Sequence, residues 1–352
     1  MTIKILIVDD SLTEYNLLKT IFEHEPDMKV IGHARNGQEA LKQTELLKPD
    51  LITMDILMPL MDGFEATRAI MSHHPTPIVV ISSAIFDESL KIAFKALEAG
   101  ALSVIEKPTH LHLNQKYKRM IDTLRAMAEI KVIKRRFHIK HQSHVLNITN
   151  SDKHREFEII AIGTSVGGPQ ALKIILSNLP ADFPVPIVIV QHMTPGFIEG
   201  FAKWLNDNTL LKVKNAVDNE VLLGHTVYFA PDNYHLEVQR EKNTHLLRAK
   251  LSKRPPVSGF CPSATVLLES VAEVCGSHAI GVLLTGMGND GAQGLLALRH
   301  QKGHTIIQDQ ESAIVFGMPG VAQSLGAAEK IVKLDSIAEY LTKAVKEKII
   351  IN

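Results

Sequence analysis

The amino-acid sequence predicts an α/β protein built from two doubly wound parallel sheets, and three observations carry that expectation. Short Val/Ile/Leu runs alternate with longer amphipathic stretches from Ile3 to about Leu124, and the same alternation restarts at Phe157 and continues almost to the end. Such alternation implies parallel strands covered by helices on both faces. The length, 352 residues, exceeds one ordinary core and fits two domains of usual size.

In the first domain, placed at residues 1–124, the expected strands are Ile3–Val8, Val30–Ala34, Leu51–Met54, Ile78–Ile81 and Ser103–Ile105, with helical patterns such as Leu12–His24 and Gln38–Leu47 between them. Residues 125–156 read as a linker that begins as the tail of a helix: they are basic and histidine-rich, with Lys134-Arg135-Arg136, Lys140-His141 and Ser143-His144. No aromatic interleaving or recognition-helix pattern turns these charges into a nucleic-acid patch. The second domain, residues 157–352, offers strands at Phe157–Ile162, Ile187–Val190, His225–Ala230, Ala279–Leu284, His304–Ile307 and Glu329–Val332. Its expected helices lie near Gln170–Asn178, Ile198–Asn206, Ala264–Val274 and Ala292–His300.

Lys plus Arg and Asp plus Glu balance at 38 each, which argues for a protein or small-molecule partner and against nucleic acid or an anionic membrane. The two cysteines, Cys261 and Cys275, match no zinc or redox spacing. No signal-like segment precedes Ile3, and no apolar stretch approaches the roughly 20 residues a span requires, so a reduced, cytoplasmic location without membrane insertion is expected.

Asp9 and Asp10 follow the first strand and Asp55 follows the third, positions that converge at the carboxyl edge of a doubly wound sheet. Carboxylates crowded there repel one another unless a hard cation such as Mg²⁺ joins them. Lys107, before Pro108, adds a charge able to neutralise a phosphoryl oxygen, and Ser82 or its neighbour Ser83 can supply a hydroxyl. Taken singly, Asp9-Asp10 reads equally well as a helix cap. Together with Met54-Asp55-Ile56-Leu57-Met58-Pro59-Leu60-Met61-Asp62-Gly63, these residues resemble response-regulator receiver domains, which are flavodoxin-like. The resemblance implies that Asp55 accepts phosphate from a sensor histidine kinase, that Asp9, Asp10 and Asp55 hold Mg²⁺, and that Ser82 and Lys107 form the switch.

Three polar turns in the second domain each follow an apolar run. Gly163-Thr164-Ser165-Val166-Gly167-Gly168 fits G-x-S-x-G, which exposes a serine and turns backbone N–H groups toward a developing oxyanion. The turn is neither G-x-G-x-x-G nor a Walker loop. Gln191-His192-Met193 offers a histidine, with His235 its rival but read as a pocket or structural residue, and Leu284-Thr285-Gly286-Met287-Gly288-Asn289-Asp290-Gly291 offers an aspartate, with Asp309 its rival. In triad logic Ser165 attacks, His192 moves the proton and Asp290 orients the imidazole.

The chain order serine, histidine, aspartate disfavours ordinary α/β-hydrolases. With Ala230-Pro231-Asp232 and Phe316-Gly317-Met318-Pro319, it resembles the chemotaxis protein-glutamate methylesterases, in which a receiver precedes a Rossmann-like esterase domain. The resemblance implies hydrolysis of glutamyl methyl esters on methyl-accepting chemoreceptors, deamidation of receptor glutamines, an oxyanion donor at Met287, no cofactor for the ester reaction, and a receiver that covers the active site until phosphorylated. Two departures stand out. Val166 occupies a position usually held by threonine, and Cys261-Pro262-Ser263-Ala264-Thr265 lacks both charges of the family's Arg-Pro-Ser-x-x-Asp-like segment. The competing readings are an inactive, phosphorylation-dependent binding module and a receiver-linked DNA-binding regulator; the second lacks a small basic output domain.

Overall fold

The computed structural model describes residues 2–82, 94–108, 115–130 and 156–346. Ser83 and the basic pairs of the expected linker lie outside the described residues. The chain separates into two compact units, Met1–Ile139 and Lys140–Asn352.

The first unit contains β1 (Ile3–Val8), α1 (Leu12–Glu23), β2 (Met28–Ala34), α2 (Gly37–Leu47), β3 (Leu51–Met54), α3 (Gly63–His73), β4 (Ile78–Ser82), β5 (Ser103–Glu106) and α4 (Gln115–Ala128); residues 94–99 are also helical. Its sheet runs β2-β1-β3-β4-β5 with every pairing parallel. This is the flavodoxin order, and the connections leave β1 in opposite directions, toward β2 on one side and β3 on the other. The strands lie between helices, and all four residues of β3 are fully buried. The helices start where the sequence supplies caps: Ser11, Asn36 and Asp62 each accept the backbone N–H three residues on. The cap of α1 is therefore Ser11 and not the Asp9-Asp10 pair. Helix α4 runs to Ala128 with Met127 buried, so the start of the expected linker packs as helix on the core of the first unit.

The second unit contains β6 (Ile159–Thr164), α5 (Gly168–Ser177), β7 (Ile187–Gln191), α6 (Ile198–Asn206), β8 (Lys212–Asn215), β9 (Thr226–Phe229), β10 (His235–Arg240), β11 (Leu247–Ser252), α7 (Ala264–Cys275), β12 (Ala279–Leu283), α8 (Ala292–His300), β13 (His304–Gln308), α9 (Met318–Ser324), β14 (Lys330–Val332) and α10 (Leu334–Lys346). The main sheet is β14-β13-β12-β6-β7-β9-β8, again parallel throughout. Strands β6, β7 and β12 at its centre are wholly buried. β10 and β11 form a separate antiparallel ribbon that packs on α7 and contributes Leu236, Val238 and Ala249 to the core. The sequence patterning did not reveal this ribbon: its residues mix Arg, Lys, Glu and Gln with few apolar positions, and its loop carries no Asn-Gly or Asp-Gly signal.

Candidate functional site

Two sites form, one in each unit, both at the carboxyl edge beside the first strand of the sheet. In the first unit, Val8 pairs with Met54, so the next residues, Asp9 and Asp55, leave the sheet side by side, and Asp55 N–H donates to the Val8 carbonyl. Carboxylate oxygens of Asp9, Asp10 and Asp55 lie within 4.8 Å of one another. Lys107 Nζ lies 2.9 Å from Asp9 Oδ2 and 3.1 Å from Asp55 Oδ2. It arrives there because its own N–H pairs with the carbonyl of Ser82, which joins the ends of β4 and β5. A Cβ at Gly63 would stand 2.0 Å from the Asp55 carbonyl oxygen, so only glycine lets α3 start this close to the acidic cluster.

Burial pushes the Asp55 carboxyl up to about 6; Lys107 pulls the other way, and the Asp9 carboxylate adds to the rise. Burial works against the charge on Lys107 as well, but Asp55 and Asp9 hold its pKa above the usual lysine range. An exposed Asp10 beside two buried carboxylates gives an all-oxygen donor set open on one side, the chemistry a hard divalent cation requires.

In the second unit, Thr164 pairs with Gln191, so Ser165 and His192 are the residues just beyond adjacent strands, and His192 N–H donates to the Thr164 carbonyl. Ser165 is buried, not exposed as the G-x-S-x-G turn predicts, and its N–H is held by the Thr285 carbonyl, which also accepts from Thr164 Oγ1. A Cβ at Gly168 would lie 2.0 Å from Gln191 Oε1; its absence lets Gln191 Nε2 reach the Ser165 and His192 carbonyls at 2.8 Å each. The turn from Leu284 to Gly291 is braced by the 316–319 segment: Gly286 bridges Phe316, and Gly317 and Met318 donate to its carbonyl.

Asp290 is fully buried and saturated with donors. Oδ1 accepts from Ser263 Oγ (2.6 Å) and Thr265 N–H (3.1 Å); Oδ2 accepts from Ala264 N–H (2.7 Å) and stands 2.9 Å from His192 Nε2. Three of these donors belong to the first turn of α7 or its cap, where an anion is favoured. Burial alone would raise the Asp290 carboxyl, but the bonds from His192, Ser263 and Thr265 hold it at about 2. Since a carboxylate only accepts, the hydrogen of neutral His192 sits on Nε2. Its Nδ1, buried and without a hydrogen-bond partner among the described residues, therefore carries the free lone pair.

The rivals are otherwise engaged. His235 Nδ1 accepts from Ser263 N–H, and Nε2 faces the Pro255 carbonyl, so both ring nitrogens are committed to holding the 255–263 segment. Asp309 accepts from Ser312 Oγ. The backbone N–H groups of Val166 and Met287 donate to no group among the described residues, and Met287 is exposed. Two things escaped the sequence reading. The 261–265 segment, noted for its missing charges, supplies three of Asp290's donors, and Phe260 stacks on His192 with centroids 3.8 Å apart and planes 1° from parallel. The Ser-Ala-Thr run before an apolar helix is a legible cap signal; nothing marks Phe260.

The family model described as CheB methylesterase matches residues 160–341, and the response regulator receiver domain model matches residues 5–117. A protein-glutamate methylesterase/protein-glutamine glutaminase of Methanospirillum hungatei is 43% identical over 96% of this chain and 97% of its own length. One from Myxococcus xanthus is 42% identical over 97% of both chains. The crystal structure of the Thermotoga maritima CheB methylesterase catalytic domain covers 54% of this chain and 100% of its own, at 37% identity and a TM-score of 0.52. With the parallel-sheet architecture of both units, these matches establish that the chain belongs to the CheB methylesterase family of carboxylic ester hydrolases and carries a response regulator receiver domain ahead of the esterase domain.

Proposed function

We propose that this chain is a phosphorylation-activated protein-glutamate methylesterase that removes methyl groups from glutamates of methyl-accepting chemoreceptors and deamidates receptor glutamines by the same acylation chemistry. The observation that carries this reading is the Nδ1 of His192, which has no partner among the described residues, is left free by the Nε2 bond to Asp290 and is carried on the strand end next to Ser165. Nδ1 takes the Ser165 proton as Oγ attacks the ester carbonyl, and Asp290 stabilises the imidazolium. The N–H groups of Val166 and Met287 are the donors assigned to the oxyanion. His192 then returns the proton to methoxide, methanol leaves, and water hydrolyses the acyl-Ser165 by the reverse route; with glutamine, ammonia is the leaving group.

In the receiver, Asp55 accepts a phosphoryl group from a sensor histidine kinase, with Lys107 and Ser82 facing its oxygens. Mg²⁺ held by Asp9, Asp10 and Asp55 would neutralise charge on that group. Phosphorylation relieves inhibition of the esterase domain. No helix among the described residues is long and apolar enough to cross a membrane. The location that goes with this reading is the cytoplasm, where the enzyme acts on the inner ends of receptors.

Methanol release from methyl-labelled receptor, with and without a small-molecule phosphodonor and Mg²⁺, tests the reading. Ser165→Ala is expected to abolish release, Asp55→Asn to remove only the response to phosphodonor, and removal of the receiver to raise the basal rate. Near-normal release by Ser165→Ala would overturn the assignment, and equal basal rates with and without the receiver would rule out inhibition by it.

A further inference from the structure

Among the described residues, His192 is held in the site by a single side-chain hydrogen bond, Nε2 to Asp290. One bond along an imidazole edge fixes the direction of the ring but not its plane, and χ2 of histidine is a broad torsion with no staggered wells to choose among. The lone pair on Nδ1 lies in the ring plane. A ring free to roll about the Nε2–Oδ2 axis would spend much of its time with that lone pair directed away from Ser165. Something other than Asp290 has to set the plane.

We infer that Phe260 is the positioning residue for His192, fixing the imidazole plane by parallel stacking and favouring the protonated ring that forms as Ser165 attacks. The stack is close and flat, at 3.8 Å and 1°, and Phe260 is itself built in from both sides. Its N–H and carbonyl pair with those of Val257 at 2.9 and 3.0 Å across a tight turn whose central residues, Ser258 and Gly259, both have positive φ, 52° and 83°. Three residues on, Ser263 is anchored by Asp290 and by His235. The short stretch from Val257 to Thr265 therefore grips the acid with its end and the base with Phe260. The buried His235, the rival that the sequence reading takes as a pocket or structural residue, acts here as a brace for that stretch. A π face against the imidazole attracts the cation more than the neutral ring, so the contact strengthens as the proton arrives.

The inference rests on the triad reading above, and the experiment separates the two. Wild type, Phe260→Leu, Phe260→Ala and Phe260→Tyr full-length proteins are compared for methanol release from methylated receptor. Each is also examined by proton NMR of the His192 ring, whose carbon-bound protons should be shifted upfield by the Phe260 ring current. Leucine fills much of the volume but has no flat face. Phe260→Leu is expected to lose the upfield shift and to lower kcat about 10-fold with KM within about two-fold, Phe260→Ala to lower kcat about 10- to 100-fold, and Phe260→Tyr to restore both shift and rate. A role in packing alone would be rescued by leucine as well as by tyrosine, and that result overturns the inference. So does a rise in KM at unchanged kcat, which would make Phe260 a substrate contact, and so does a wild-type His192 ring with no upfield shift. Absence of turnover in the wild type overturns the triad reading, and the inference with it; turnover that survives intact in Phe260→Leu overturns the inference alone.

Discussion

Asp55 and Asp290 both stand beyond a buried parallel strand at the carboxyl edge of their sheets, yet their carboxyls lie on opposite sides of the ordinary aspartate value, near 6 and near 2. Both are buried, so burial does not separate them. The donors do. Asp290 receives three protein N–H or O–H groups and the His192 ring, two donors to each oxygen. Asp55 receives the Ile56 N–H and shares Lys107 with the neighbouring Asp9 carboxylate. One site is complete and keeps its charge; the other sets three carboxylates against one lysine and is short of positive charge, which a bound cation would supply.

The largest expected effect comes from breaking the complete site. Asp290→Asn replaces an acceptor-only group with one that must turn an NH₂ toward a donor, which favours the wrong His192 tautomer. It should lower kcat by about 10⁴-fold, measured as methanol release from methylated receptor. Retention of more than a tenth of the rate would show that His192 is oriented by other means.

The incomplete site should respond in the opposite sense. Without Mg²⁺ at neutral pH, Asp55→Asn removes a charge whose pKa is raised, and should stabilise the receiver by about 2 kcal/mol. Added Mg²⁺ should stabilise wild type and leave the variant little changed. Calorimetric unfolding of the full chain resolves this, and a receiver destabilised by the substitution would contradict the account of Asp55.

A pH series sharpens the contrast. The Asp55 pKa is raised on folding, so its contribution is fully present below about 3.8 and is lost as pH rises through about 6. The Asp290 pKa is depressed, so its contribution is present above about 3.8 and is lost as pH falls toward about 2. Between pH 7 and 5 without Mg²⁺, the receiver transition should therefore shift upward in wild type relative to Asp55→Asn, while Asp290 leaves the esterase transition unchanged.

The smallest effect tests the departure beside the nucleophile. Val166→Thr adds a hydroxyl next to an N–H that is already in place, and should raise kcat by less than about 10-fold, well below what a missing oxyanion donor would restore. A larger gain would mean that the Val166 N–H alone is a poor donor.

Much of this comparison was legible before any fold was in hand. Asp9, Asp55 and Lys107, like Ser165 and His192, follow strands whose apolar runs mark them as buried and parallel, and residues just past such strands converge at one edge whatever the details of packing. The choice of Asp290 over Asp309 and His192 over His235 was open to a periodicity argument only in part. For the histidines it rests on which ring already has its hydrogen bonds filled, and here Ser263 and Pro255 engage both nitrogens of His235; for the aspartates it rests on place, since Asp290 meets His192 while Asp309 accepts from Ser312.

By itself, then, the sequence determined the two α/β units, the strands that end at each site and the residue types gathered there, because hydrophobic period and turn chemistry are local properties of the chain. Only the tertiary structure decided the state of those residues. The donors that lower Asp290 come from the start of α7, the lysine that joins Asp9 to Asp55 comes from beyond β5, and the ring that stacks on His192 comes from a turn 68 residues later in the chain. Charge, tautomer and ring orientation depend on groups that meet across space, and no spacing in the sequence encodes which of them will meet.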